Sequence, residues 1–197
     1  MKHDRRQEIL AAAMELFAKK GFRGTTTRDL ASQADVNEAI IFRHFNNKEE
    51  LYSAILEHKA GEKRDARIEE FERLAKEADD ETFFRAVGRG FLEQHETDTT
   101  FMRLLLFSAL EGHELSDMFI ASLTARNPIT NYIQQRMDAG VFRRMNSQLV
   151  ARGFFGMFAS FVLWQEIFGF KKTQPYSRDE VVETFVSIFL NGIINKE

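Results

Sequence analysis

The segment that most restricts the possible folds is residues 25–51, TTTRDLASQADVNEAIIFRHFNNKEEL. Its pattern predicts two short helices joined by a tight turn, followed by a third helix that opens at Lys48. Thr26 can cap the first of these helices, and Asp29, three residues later, completes a reciprocal cap. The turn falls at residues 35–36. Because helices this short are stable only against a partner, we expect them to pack on the amphipathic helix that precedes them.

Composition extends the helical prediction to the whole chain. Its 197 residues include only two prolines and eleven glycines, and 44% of them are hydrophobic. Strands need turns rich in Pro and Gly, so the leading fold class is all-α with a sizeable core. We expect an N-terminal three-helix helix-turn-helix domain over residues 1–50 and a larger helical domain over residues 51–197, with about nine helices in total. The lack of cysteine excludes disulfides and thiolate chemistry, and it suits a cytoplasmic protein.

Helical periodicity and capping residues set the expected bounds. The nine predicted helices span residues 5–20, 26–34, 38–44, 48–76, 81–95, 99–112, 115–140, 147–170 and 177–194. The seventh is interrupted before Pro128, because the residue before a proline is pushed out of helical geometry. The most apolar run, residues 153–164, is too short to span a bilayer, so no membrane segment is expected.

The third predicted helix has the features of a helix that reads the major groove of DNA. Ala39, Ile40 and Phe42 can pack on thymine methyl groups. Glu38 can accept a hydrogen bond from a cytosine amine, and Arg43 can bind guanine or a phosphate. Hydroxyl and basic side chains on both sides stand where phosphates should pass. The full set of predicted DNA contacts is Thr25, Thr26, Thr27, Asn37, Glu38, Ala39, Ile40, Phe42, Arg43, His44 and Lys48.

Other interpretations stay open. The segment could be a capped helical hairpin with a structural role, or a helical protein-interaction module without DNA binding. The net charge of −3 gives no support to nucleic-acid binding, so the prediction depends on the motif. An enzyme is disfavoured because the chain has no Gly-x-Ser-x-Gly, no phosphate-binding glycine loop and no His-Glu-x-x-His, and its five histidines are scattered. We therefore expect no catalytic residue, metal site or cofactor.

Residues 17–56 carry a set of short motifs in a fixed order. They are a Gly-aromatic pair, a threonine run, a Leu-Ala pair, a valine, an aromatic-x-His-Phe and a Lys-Glu-x-Leu, found at residues 21–22, 25–27, 30–31, 36, 42–45 and 48–51. Each motif alone is weak, but the combination is specific. It resembles the N-terminal domain of the TetR family of helix-turn-helix transcriptional regulators. The rest of the chain is similar to that family only in its helical plan and length.

Three residues depart from the family pattern. The family usually has Gly where Asp35 and Ala39 stand, and Tyr where Phe42 stands. The family's tyrosine places its hydroxyl on a phosphate, which Phe42 cannot do, so the contact of Phe42 is expected to be apolar. These differences bear on operator sequence and affinity, and not on the motif itself.

The resemblance also implies a dimer. Members of the family pair through their last two long helices, here about residues 147–170 and 178–194. The sequence supports this independently, because the first of the two is apolar on nearly all sides and has to be covered on all sides. An ordinary monomer core is the alternative. The predicted interface residues are Gly153, Gly156, Ser160, Phe185 and Phe189.

A ligand is implied by the resemblance alone, since the family generally holds a small molecule inside its helical body. Polar or aromatic groups beside apolar stretches could line such a cavity. The predicted contacts are Arg103, Phe107, Glu111, His113, Tyr132, Phe158 and Trp164. A surface, capping or core role is the alternative for each. No residue identifies the ligand beyond a small, partly apolar molecule.

Together these features predict a cytoplasmic homodimeric repressor. It would bind a palindromic operator in double-stranded DNA and release it when a small-molecule ligand binds. Two recognition helices one DNA turn apart, roughly 34 Å, would span the palindrome. A ligand-responsive activator is the alternative, because repression is the family's usual behaviour and no residue encodes the direction of regulation.

Overall fold

The computed structural model describes residues 5–61, 64–112 and 128–195. Within these ranges the predicted all-α class is confirmed, with ten α-helices and no strand. The helices are α1 (Arg5–Lys20), α2 (Thr27–Gln33), α3 (Glu38–His44), α4 (Lys48–Gly61), α5 (Arg64–Glu77), α6 (Asp80–Thr97), α7 (Thr100–Glu111), α8 (Pro128–Asp138), α9 (Ser147–Val162) and α10 (Arg178–Ile193). None of the helices in the described ranges is long and apolar enough to cross a lipid bilayer.

Two predicted helices run through residues outside the described ranges, and a third ends differently in the structure. The helix predicted over residues 48–76 is described as α4 and α5, because residues 62–63 between them lie outside those ranges. The helix predicted over residues 115–140 is described only as α8, because residues 113–127 lie outside the described ranges. After α9 the backbone forms a π-helical turn, Leu163–Ile167, in which the amide of Phe168 donates to the carbonyl of Leu163 at 3.0 Å.

The chain forms two compact units whose boundary differs from residue 50. The first unit comprises Met1–Arg64 and Thr100–Leu123, and the second comprises Asp65–Thr99 and Thr124–Glu197. Helix α7 therefore packs with α1–α4, although α5 and α6 separate them in the sequence. The division of function at residue 50 stays a prediction.

The core of the first unit forms because α1 is amphipathic. Its residues Ile9, Ala13 and Phe17 are at most 1% exposed and face α2, α4 and α7. The ring of Tyr52 from α4 meets that of Phe17 edge-on, with centroids 4.9 Å apart. Leu104 brings α7 into the same cluster and is fully buried. Five helices thus share one apolar cluster, which fixes α2 and α3 on their scaffold.

The core of the second unit is largely aromatic. The ring of Phe84 from α6 lies within 6.3 Å of the rings of five other aromatic residues, which are Phe83, Tyr132, Phe142, Phe154 and Phe189. Gly88 allows the ring of Phe158 to approach α6, since an added Cβ would stand 2.5 Å from its Cζ. Six phenylalanines of this unit are thus buried in its core, namely Phe83, Phe84, Phe142, Phe154, Phe158 and Phe189.

Candidate nucleic-acid interface

Helix α2 begins with the predicted reciprocal cap. Thr26 is the N-cap; its Oγ1 accepts from the amide of Asp29 at 3.1 Å, and its own amide donates to Asp29 Oδ2 at 3.0 Å. These bonds from the Thr26 backbone and hydroxyl, together with Lys20, hold the pKa of the Asp29 carboxyl below its ordinary value. The cap fixes the start of α2, and the Thr26 hydroxyl also donates to the same carboxylate.

The turn into α3 follows the prediction. Asp35 has a φ of 51°, in the left-handed region that a short polar side chain tolerates. Asn37 then caps α3, with Oδ1 accepting from the amide of Ile40 at 3.0 Å. On the inner side of α3, Ile41 is 2% exposed, and Phe45, which ends the helix, is 1% exposed. The helix is therefore capped at one end and anchored in the core at the other.

The outer face of α3 is open to solvent. Glu38, Ala39 and Arg43 are exposed, and Phe42, although large and apolar, is 45% exposed. Ile40 is partly buried against the core and partly open to solvent. A capped seven-residue helix that shows one acidic, one basic, one small and one aromatic side chain has the size and chemistry of a major-groove reader.

One contact links the two helices of the motif. The hydroxyl of Thr27, the first residue of α2, donates to Oε2 of Glu38, the first residue of α3, at 2.6 Å. The pair sits on the exposed side of the motif. It fixes the direction of the only carboxylate on α3.

Three predicted DNA contacts are placed differently from the expectation. Thr25 is fully buried, and its hydroxyl donates to the carbonyl of Gly21 at 2.8 Å, so its side chain cannot reach a phosphate. Lys48 donates to the carbonyls of Phe22 and Thr25 at 2.8 and 2.9 Å, and its ammonium lies 4.1 Å from the centroid of the Phe22 ring. His44 is half-buried, with Nε2 buried and unpartnered among the described residues.

Lys48 therefore closes the loop between α1 and α2, residues 21–26, which we call the α1–α2 loop. The sequence places it correctly at the start of α4, but its partners are main-chain carbonyls with no side-chain signature. Thr25 and Lys48 position the motif from within. The predicted contacts left on the surface are Thr26, Asn37, Glu38, Ala39, Phe42 and Arg43, with Thr27, Ile40 and His44 half-buried.

Two residues predicted to contact a ligand instead hold the same loop. The carboxylate of Glu111, at the end of α7, accepts from the amides of Phe22 and Arg23 at 3.0 and 3.2 Å. The guanidinium of Arg23 donates back to the Glu111 carbonyl at 3.1 Å. Phe107, one turn earlier, faces Gly21, since a Cβ added there would lie 2.8 Å from its Cδ1. Both side chains are thus engaged with the α1–α2 loop.

The remaining predicted ligand contacts are scattered. Arg103 is half-buried on α7, and His113 lies outside the described ranges. In the second unit Phe158 is fully buried in the aromatic core. Trp164 is 49% exposed and rests on the rings of Phe168 and Phe170, with both centroids 5.1 Å away.

Tyr132 forms a local cluster with Asp80 and Arg136. Its hydroxyl donates to Asp80 Oδ1 at 2.6 Å, and Arg136 Nη2 donates to Asp80 Oδ2 at 2.6 Å. Burial, followed by the bond to Asp80, raises the pKa of Tyr132. The cluster borders an open cleft of about 560 Å³ that also meets Lys76 and Gln135. Apart from three alanines, the lining is charged or polar, which does not match the partly apolar ligand that was expected.

Two buried polar residues, Gln165 and Ser108, were not predicted from the sequence. Gln165 is 7% exposed inside the π-helical turn, and its Oε1 has no hydrogen-bond partner among the described residues. Ser108 on α7 is fully buried, and its Oγ is likewise unpartnered there. Buried polar atoms are normally paired, and a π-helical turn often marks a functional position. Gln165 was overlooked because the turn changes which residues face inward.

The predicted dimer residues divide between surface and core. Gly153, Gly156 and Ser160 are exposed along one face of α9. Phe185 on α10 is half-buried, with its ring 5.3 Å from that of Phe158. Phe189 is only 8% exposed and packs on Phe84 and Phe154, so it belongs to the core of the second unit.

Descriptions of known protein families match two segments of this chain. The family description "Bacterial regulatory proteins, tetR family" matches residues 9–55, and "AefR-like transcriptional repressor, C-terminal domain" matches residues 84–192. The HTH-type transcriptional regulator YvkB of Bacillus subtilis is 54% identical over 50 residues, which are 25% of this chain and 26% of YvkB. The chain thus matches about a quarter of the length of such curated relatives.

Solved structures are similar to this protein over nearly the whole chain. FadR of Bacillus subtilis in complex with stearoyl-CoA matches with a TM-score of 0.68 and 20% identity, over 94% of this chain and 98% of that one. AibR in complex with isovaleryl coenzyme A and operator DNA matches with a TM-score of 0.69 and 20% identity, over 94% and 97%. These identities show a shared fold alone. Because one family description covers the helix-turn-helix segment and the other more than half of the chain, the resemblance is confirmed, and this protein belongs to the TetR family of bacterial regulatory proteins.

Proposed function

We propose that this protein is a homodimeric transcriptional repressor that binds a palindromic operator and releases it when a small, partly apolar ligand binds. The observation that carries the proposal is that α3 is fixed at both ends and exposed along one face. Both of its ends are fixed by a cap and a buried aromatic side chain, while Glu38, Ala39 and Arg43 remain open to solvent. A helix held this firmly with an open face pays little further ordering entropy when it enters a groove.

The proposed DNA contacts follow from exposure. Glu38, Ala39, Phe42 and Arg43 would face the bases, with Ile40 at the edge of that face. Asn37 and Thr26 stand beside α3 and would meet the backbone, together with His44. Thr27 would act through the carboxylate of Glu38, to which its hydroxyl donates. Thr25 and Lys48 would act indirectly by holding the α1–α2 loop. A cytoplasmic location is part of the proposal, because bacterial operator DNA lies there.

The proposed dimer uses the exposed face of α9. Leu149 is 62% exposed and begins a stripe at helical spacing that continues through Gly153, Gly156 and Ser160. An added Cβ at either glycine would meet nothing within 4 Å, so a second helix could approach closely. On α10, Ile188 is 59% exposed. Apolar and small residues on the two last helices support pairing with a second copy.

The proposed ligand is an acyl-CoA or a similar molecule with an apolar chain and a polar head. FadR and AibR, which share the fold, were solved with stearoyl-CoA and isovaleryl coenzyme A. In this chain Phe158 lies in an aromatic core, and the buried Oε1 of Gln165, which has no hydrogen-bond partner among the described residues, offers a polar contact. Ligand contacts by Arg103, Tyr132, Trp164 and His113 stay predictions.

Selection of bound sequences from random duplex DNA tests the proposal. We expect one enriched palindrome and a binding constant that falls steeply with added salt, with a log–log slope of several units. Adding stearoyl-CoA or isovaleryl-CoA to the complex should then release the DNA. Selection of no sequence, by a protein that is dimeric in solution, would contradict the repressor assignment.

A protein-interaction module is the second candidate, favoured by the 45% exposure of Phe42. A protein partner docked on an apolar side chain should be held with little salt dependence, whereas DNA binding through several phosphates should not. A reporter gene placed behind the selected operator separates repression from activation, because deletion of the protein would raise expression in the first case and lower it in the second.

A further inference from the structure

We propose that Glu38, oriented by Thr27, reads a cytosine at one fixed position in each half of the operator. This inference rests on the proposed function, and it specifies the DNA sequence that the protein would take. It starts from the contact of 2.6 Å between the Thr27 hydroxyl and Glu38 Oε2, which joins the first residues of α2 and α3.

The geometry leaves part of the carboxylate free. The Thr27 hydroxyl has one proton, and it is donated to Oε2, so Oε1 keeps its full capacity to accept hydrogen bonds. Glu38 is exposed, and its backbone is held in the first turn of α3 by the Asn37 cap next to it. The carboxylate is therefore held in one direction at the edge of the open face before any DNA arrives.

The chemistry of the grooves decides which base suits it. In the major groove guanine shows two acceptors and thymine one acceptor, while cytosine shows an amine that only donates. A carboxylate accepts and cannot donate, so it is complementary to cytosine and repelled by the edges of guanine and thymine. Adenine offers one donor beside an acceptor, which makes it second best. Phosphates also repel Glu38, which favours a base contact over a backbone contact.

Orientation by Thr27 adds to this selection. A glutamate on a helix surface has several rotamers, and fixing it on binding costs free energy. Thr27 provides that fixation in the free protein, which makes it a positioning residue. The short side chain of Ala39 beside Glu38 leaves room for the base edge.

The test is selection from random duplex DNA with the full-length protein, its Glu38→Gln variant and its Glu38→Ala variant. For the natural chain we expect a C·G pair at one position of each half-site, preferred over other pairs by about 10- to 100-fold. Glutamine pairs with adenine, so Glu38→Gln should shift the preference at that position to A·T. Glu38→Ala should lose the preference there, and all other positions should stay the same.

Thr27 is tested with a matched pair of variants. Thr27→Val removes the hydroxyl at nearly constant volume, and we expect the preference for cytosine to fall by about two- to tenfold. Thr27→Ser keeps the hydroxyl, so its preference should equal that of the natural chain. Loss of a phosphate contact would weaken binding to every sequence alike, and would leave the base preference at this position unchanged.

The outcomes separate this inference from the proposed function. If the natural chain enriches a palindrome and both Glu38 variants enrich the same palindrome, the protein is a DNA reader and the cytosine inference is wrong. If the natural chain enriches nothing, the proposed function itself fails. Circular dichroism of each variant shows whether it is folded, and a variant that is not folded is replaced by Glu38→Asp, which should weaken the preference without changing its base.

Discussion

At the scale of single residues, Lys48 stabilises the α1–α2 loop of the first unit. Its ammonium binds two carbonyls of the α1–α2 loop and covers the ring of Phe22, so one residue of α4 fixes the loop that leads into α2. Two of the three protons of the ammonium are thereby donated to main-chain carbonyls. The residue is better described as an internal brace of the motif than as part of its outer face.

Replacing Lys48 by methionine tests this role. Lys48→Met keeps the apolar stem and removes both bonds, so we expect the free energy of unfolding to fall by about 1–3 kcal/mol. The measurement is chemical denaturation at neutral pH, with Lys19→Met, an exposed lysine of α1, as the control that should change little. Full stability of Lys48→Met together with weaker DNA binding would show that the phosphate role was the correct one.

Tyr52 links α4 to α7 through a buried hydroxyl that donates to the carbonyl of Leu104 at 2.9 Å. Burial, with a smaller effect from Glu111, raises the pKa of Tyr52 to about 12. The neutral phenol is therefore favoured in the folded state relative to the unfolded state. Its contribution to stability is complete below pH 10, the ordinary pKa, and is lost as the pH rises toward 12.

Tyr52→Phe should therefore have a pH-dependent effect. At neutral pH we expect the variant to be less stable by about 0.5–1.5 kcal/mol, the usual value of one hydrogen bond. The difference should shrink, and then reverse, as the pH rises above the ordinary tyrosine value of 10. Urea denaturation of both proteins at a series of pH values measures it. A difference that stays constant with pH would contradict the assigned cause.

At the scale of elements, the α1–α2 loop is held from two sides. Lys48 binds its carbonyls, and Glu111 binds its amides, so donors and acceptors of one short loop are satisfied by side chains from α4 and α7. Gly21 begins the loop with a φ of +74°, and a Cβ there would lie 2.5 Å from Glu111 Oε1. The glycine is needed both for its backbone conformation and for the approach of α7.

Alanine variants at Gly21 and Gly140 separate the need for a positive φ from the need for space beside α7. Gly21→Ala and Gly140→Ala both place a side chain at nearly the same positive φ, +74° and +75°, but only Gly140 faces open space. The conformational cost of about 1–2 kcal/mol is common to both. We expect Gly21→Ala to lose about 1–3 kcal/mol more, because of the clash with α7. Equal losses in thermal denaturation would mean that α7 can move aside at little cost.

Gln165 in the π-helical turn can be tested for a structural role and for a ligand-binding role. Gln165 is buried, and its Oε1 has no partner within residues 5–61, 64–112 and 128–195. Replacing such a group by an apolar one of similar shape is nearly neutral or stabilising. We therefore expect Gln165→Leu to unfold at the same or a higher denaturant concentration, while losing the proposed release of DNA by acyl-CoA. A clear loss of stability would show that the amide has a structural partner.

The elements that could be predicted from sequence are those fixed by near neighbours. The caps of α2, α3 and α10 and the turn at Asp35 each depend on residues within four positions, and the structure has all of them. The contact of Glu111 with Phe22 spans 89 positions and ends on a main-chain amide. Since every residue but proline has such an amide, no pattern of side chains could have pointed to it.

At the scale of the whole molecule, the exposed face of α9 is the surface proposed to pair with a second copy of the chain. Leu149→Arg would place a charge at the start of its stripe, and we expect it to convert the proposed dimer into a monomer with much weaker operator binding. Leu110→Arg makes the same change at a residue that is 84% exposed on α7, and it should stay dimeric. Sedimentation of both variants measures the difference. A dimeric Leu149→Arg would place the interface elsewhere.

The contact of α7 with the α1–α2 loop also bears on how regulators of this kind could be recombined. A chimera that joins the first fifty residues to a foreign body would inherit Lys48 but leave Glu111 behind, and the loop amides of Phe22 and Arg23 would lose their acceptor. Transplanting α7 along with the N-terminal helices would keep it. The exchangeable module is thus set by three-dimensional contacts, and it is discontinuous in the gene.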